Sequence, residues 1–131
     1  MASARRSLAS LSLIALLTAG SLPRHVILTL PGSETDPGAL SLNATIESIG
    51  IVAPYSGDDN QNSSASVWYR PVGDPAWLPG PELVADRDAR EWRGSLVHCS
   101  PATEYQVEVQ YADPDGVQPA AVEASVHTRP D

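Results

Sequence analysis

The chain has 131 residues, 16 acidic against 8 basic side chains, a formal net charge of −8 at pH 7 and one cysteine. A charge balance this negative repels nucleic acid and anionic lipid, so neither is expected as a partner. Every base is arginine, a bias that carries no functional information, and the lone Cys99 cannot close an intramolecular disulfide.

The first residues, Met-Ala-Ser-Ala-Arg-Arg, lead into a mostly apolar run from Leu8 to Ala19 and then into small residues, Ala19-Gly20-Ser21. A basic start, a short apolar middle and a small-residue exit predict a secretory signal peptide over residues 1–21. The apolar run is about a dozen residues, too short for a membrane span of about 20, so no membrane insertion is expected after cleavage. The expected location is secreted, extracellular or periplasmic. Cleavage leaves about 110 residues, one modest domain able to bury a core without disulfides.

Residues 22–39 mix a β-prone run, His25 to Leu30, with Pro and Gly, and read as a linker or a first edge strand. From Ala44 to Ser48 polar and apolar residues alternate; the phase then shifts at Ile49-Gly50-Ile51, which predicts a bulge at Gly50. The polar stretch Ser56 to Ser64 is a loop, Ser66 to Arg70 a strand, Glu82 to Ala85 a short edge strand and Asp86 to Arg90 a charged turn. Glu91 to Cys99 and Glu104 to Ala112 are strands, Asp113-Pro-Asp-Gly116 is a turn, and Ala121 to Thr128 is the last strand. Tyr105, Val107, Val109 and Tyr111 share one face, opposite Glu104, Gln106, Glu108 and Gln110. Such alternation puts one face in a core and the other in water. Six or seven short strands without a helical period predict an all-β, antiparallel two-sheet sandwich over residues 40–129, with residues 130–131 starting a tail or linker.

Tyr69-Arg70, Trp77, the run Cys99-Ser-Pro-Ala-Thr-Glu-Tyr-Gln-Val-Glu-Val109 and the closing Val126-His-Thr128 resemble a fibronectin type III domain. The resemblance implies an immunoglobulin-like sandwich with a corner at Pro101 anchored by the Tyr105 phenol, Cys99 standing where the family places an apolar plug. The family also places a core Trp at the end of its second strand, where this chain has Gly50-Ile51-Val52. Trp77 and Trp92 are expected to supply that bulk, an indole such as Trp77 filling a slot at Gly94. Cys99 is expected to be a buried, inert thiol.

No metal-ligand or nucleophile motif exists, and the three histidines, His25, His98 and His127, are scattered, so no enzymatic activity and no cofactor are expected. Asp58 and Asp59 offer hard oxygens of the kind calcium takes, but Asp and Asn also build turns by bonding their own backbone, which is the favoured reading. Trp68, predicted to point outward beside Arg70, is with that arginine the first candidate for a partner surface, a protein or a polysaccharide; the alternative is a cross-strand stack of the indole with an arginine such as Arg93. The expected role is a non-catalytic secreted spacer or binding module. The alternative is the N-terminal accessory domain of a larger secreted enzyme, β-helical or hydrolytic, with Thr128-Arg-Pro-Asp131 opening an interdomain linker.

Overall fold

Nine strands follow one another with no helix between them in the computed structural model, which describes residues 32–131. The predicted signal peptide and the His25–Leu30 run lie outside the described residues. The strands are β1 (Thr35–Pro37), β2 (Ser41–Ala44), β3 (Ser48–Gly57), β4 (Ser64–Pro71), β5 (Leu78–Pro79), β6 (Val84–Asp86), β7 (Glu91–Val97), β8 (Glu104–Ala112) and β9 (Ala121–His127). One antiparallel sheet has the order β9-β8-β4-β5; the other runs β1-β3-β7-β6, with β2 also pairing β3. The protein is therefore an all-β sandwich of two antiparallel sheets.

Alternation explains how the sheets meet. Tyr105, Val107, Val109 and Tyr111 of β8 and Ile49, Ile51, Ala53 and Tyr55 of β3 are all buried. With Val67, Leu83, Trp92, Leu96 and Cys99 they form one core. Ile49, Ile51, Val107 and Val109 are at most 1% exposed, and each such side chain stabilises the fold by roughly 1.5–3 kcal/mol, more than any surface ion pair contributes. Burial also pushes the Cys99 thiol pKa up, which keeps the sulfur protonated and unreactive.

The pairing corrects two expectations. No bulge exists at Gly50: β3 pairs with β7 in unbroken register from Ser48↔Val97 to Pro54↔Glu91. The change of phase comes instead from a tight turn between β2 and β3. There the Thr45 N–H donates to the Ser48 carbonyl at 2.8 Å, and the Ser48 N–H donates to Thr45 Oγ1 at 3.1 Å. Nor does Trp77 fill the space beside Gly94. Leu83 does, its Cδ2 lying only 2.6 Å from where a Cβ on residue 94 would sit. Residues 35–37, within the segment read as linker or edge strand, pair with Tyr55–Gly57 of β3.

The corner before β8 is tied by side chains at short range. The Ser100 N–H donates to Tyr105 Oη at 2.8 Å, Thr103 Oγ1 donates to the Pro101 carbonyl at 2.8 Å, and Thr128 Oγ1 donates to the Ser100 carbonyl at 2.7 Å. Replacing Tyr105 with Phe keeps the ring and orphans one partly buried N–H. We expect a loss of about 1 kcal/mol, read as a lower urea midpoint at unchanged slope.

Across the core, Tyr111 Oη donates to the Pro54 carbonyl at 3.3 Å. Burial, with a smaller contribution from Tyr55, pushes the Tyr111 pKa up to about 12. The fold thus favours the neutral phenol. That contribution is intact below about pH 10, where an unfolded tyrosine titrates, and is lost as pH rises toward 12. An absorbance titration is expected to show a component for Tyr111 well above pH 10, together with alkaline unfolding; a Tyr111→Phe variant should lack this component.

Candidate functional site

The outer face of the β9-β8-β4-β5 sheet carries the side chains left over when the inner ones enter the core. Three cross-strand rows define it. Trp68 of β4 lies opposite Glu108 of β8, which lies opposite Glu123 of β9. On one side run Arg70, Gln106 and Ser125; on the other run Ser66, Gln110 and Ala121. Pro79 of β5 flanks Trp68 from the sheet edge.

Trp68 is half-buried in this face, and its indole Nε1 is enclosed without a hydrogen-bond partner. The expected stack with Arg93 does not form. Arg93 belongs to β7 in the other sheet, where its guanidinium is paired with Glu91 at 2.6 Å and Asp86 at 3.6 Å. Arg70, named with Trp68 as a binding residue, is already engaged: Nε donates to Gln106 Oε1 at 3.0 Å and Nη1 to the Pro75 carbonyl at 3.4 Å. Its guanidinium carbon also lies 4.2 Å from the centre of the Trp77 ring. Trp77 is thus half-buried beneath an arginine rather than part of the core. Trp92 does lie in the core, 7% exposed.

Asp58 and Asp59 face a different end of the sandwich, and the structure commits both to arginines. Asp58, with its side chain 0% exposed, pairs with Arg87 at 2.7 Å. Its carboxylate also accepts the Asn62 N–H at 3.0 Å, the Ser63 N–H at 3.2 Å and the Ser63 hydroxyl. Asp59 pairs with Arg90 at 3.0 Å. Asp58 therefore spends both carboxylate oxygens on Asn62, Ser63 and Arg87, as a turn-building aspartate does, while Asp59 stays exposed beside Arg90. Among the described residues no group of three or more His, Cys, Asp or Glu side chains is placed to hold a metal ion.

Arg87 is the residue that sequence reasoning missed. It lies in the charged turn after β6, yet it donates to Ser63 O at 3.1 Å and Tyr55 Oη at 3.3 Å besides Asp58, and covers the Trp92 ring at 4.9 Å from its centre. No local signal separates it from Arg90 or Arg93, because its hydrogen-bond partners are 24 to 32 residues away.

The fold and this face define a β-sandwich module with an acidic, aromatic outer sheet surface. No protein-family model matches the chain, and no curated protein does. Among solved structures it is similar to the sensor domain of the anti-sigma factor RsgI4 from Pseudobacteroides cellulosolvens. The shorter form of that domain superposes with a TM-score of 0.52 at 16% identity, covering 75% of this chain and 95% of that one. The longer form gives 0.52 at 14% identity, with 75% and 90% covered. At such identity the likeness concerns the fold alone.

Proposed function

We propose that the chain is a non-catalytic extracellular recognition module of the fibronectin type III kind, taking its partner on the outer face around Trp68. The observation that carries this reading is a tryptophan at the middle of a solvent-facing strand. An outward position on a two-sided sheet is normally polar, and a large aromatic there adds area suited to contact with a partner. The likeness to a sensor domain supports it, since sensing is recognition without turnover. The basic and apolar start of the chain supports an extracellular location.

The test follows the Trp68 indole N–H cross-peak, assigned with Trp68→Phe, in NMR titrations against neutral oligosaccharides and synthetic peptides. A partner that shifts this peak in the wild type, and whose affinity falls at least tenfold in a folded Trp68→Ala variant, supports the face. Peaks unmoved by every probe at millimolar concentration, or binding indifferent to Trp68, overturn it.

A further inference from the structure

Resting on the reading that this face binds, we propose that its partner is an extended, cationic peptide segment that places lysine or arginine side chains over Glu108, Glu123 and Trp68. Glu108 and Glu123 are direct cross-strand partners on the outer side of the sheet. Like charges facing each other across a ladder destabilise it. Among the described residues no arginine forms an ion pair with either carboxylate. The ion pairs among the described residues use Asp58, Asp59, Asp86 and Glu91, with Arg87, Arg90 and Arg93. Arg70, the one described arginine on this face, is held away by Trp77, Gln106 and the Pro75 carbonyl. Among the described residues Glu108 receives only the Gln110 side-chain amide, at 3.1 Å.

The unrelieved pair lies in the same row as Trp68. A ring face attracts cations through its quadrupole, so carboxylates and indole favour the same kind of ligand. Glu104 extends the pattern: it lies on the same side of β8, four residues from Glu108, with His127 opposite. An extended peptide presents every second side chain to one side, the same period as β8. Alternate basic residues therefore meet Glu104 and Glu108 in step. An anionic partner is repelled by a chain of net charge −8. A neutral sugar brings no charge to the Glu108–Glu123 pair and leaves its repulsion in place.

The probe is a peptide of alternating lysine and serine, eight residues long with blocked ends, compared with its glutamine–serine analogue and with neutral oligosaccharides. The lysine peptide is expected to shift the Trp68 indole cross-peak, and its affinity to fall at least tenfold between low salt and 0.3 M salt, as pairing in water requires. In the variant Glu108→Gln with Glu123→Gln, affinity should fall at least tenfold while the melting temperature stays level or rises, because the repulsion has gone. The control Glu82→Gln with Asp88→Asn removes the same charge from exposed sites elsewhere and should leave binding unchanged. Equal weakening in both double variants overturns the proposal, since binding then follows net charge alone. Shifts at Trp68 caused by an oligosaccharide and not by the lysine peptide overturn the partner class but keep the face. No shift with any probe removes the face itself.

Discussion

Replacing Arg87 with Ala is expected to lower the unfolding free energy by about 3 kcal/mol, among the largest losses available to a side chain outside the core. The cause is the group left behind. The Asp58 side chain is fully buried, and its three hydrogen bonds from Asn62 and Ser63 stabilise a carboxylate whose counter-charge is the Arg87 guanidinium. Losing one partner of a buried pair costs about 3–5 kcal/mol, because the other charge stays enclosed without compensation. Arg87 is 25% exposed on its side chain, so water enters on its loss and the effect belongs at the lower end. The same substitution uncovers Trp92 and releases the Ser63 carbonyl and the Tyr55 hydroxyl. Urea melts of Arg87→Ala, Asp58→Asn and the double variant measure this directly. The double variant should be more stable than the sum of the two losses implies, since neither charge then lacks its partner. Simple additivity would mean that the pair contributes nothing beyond its separate contacts.

Gly57→Ala is expected to cost about as much, roughly 3 kcal/mol, for a steric reason. Gly57 closes β3 with φ at +78°, a conformation that side-chain-bearing residues adopt only with strain. A Cβ there runs into the Glu34 carbonyl oxygen, a backbone atom that cannot rotate aside. That same oxygen accepts the Asp58 N–H at 2.9 Å, while the Gly32 carbonyl accepts the Asp59 N–H at 2.8 Å. Relieving the clash therefore pulls the β1 segment off β3 and loosens the loop that presents Asp58 to Arg87. Gly73→Ala separates strain from collision: residue 73 also has positive φ, +96°, but nothing lies within 4 Å of its added Cβ. It should cost only about 1–2 kcal/mol. Equal losses at both positions would show that the contact with Glu34 has no energetic weight. Hydrogen exchange should localise the Gly57→Ala damage to residues 35–37 and leave the β8 amides protected.

The two substitutions act on one unit, the crossing from β3 through the Asp58 loop to β4. That unit sets where β4 starts, and β4 carries Trp68 and Arg70 to the outer face. The candidate site thus depends on a loop that contributes no side chain to it.

Much of the sandwich can be read from single residues. The spacing of Tyr105, Val107, Val109 and Tyr111 is a local property, since neighbouring side chains in a strand must point to opposite faces. The bounds of β8, Glu104–Ala112, follow from it. The Tyr105 corner is local too, because the phenol and the Ser100 N–H are five residues apart. The outward direction of Trp68 follows from Val67 facing the core. The turn behaviour of Asp58 is local as well, its carboxylate closing onto Asn62 and Ser63.

What lies beside each outward residue depends on strand order and register, and these join residues far apart in the chain. Glu108 meets Glu123 and Trp68 only because β8 lies between β9 and β4. Arg93 is kept from Trp68 because β7 belongs to the opposite sheet. Trp77 is drawn out under Arg70 once Leu83 occupies the space at Gly94, a choice between two apolar side chains that shape complementarity makes in the folded state. Arg87 finds Asp58 across 29 residues for the same reason. By itself, the order of residues determined the strand faces, the tyrosine-anchored corner and the all-β class, since each rests on alternation or on contacts a few residues apart. Tertiary structure decided which tryptophan is core, which arginine pairs with the buried Asp58 and which carboxylates are left facing each other, because every one of those outcomes is a competition among side chains that meet only when the sheets pack.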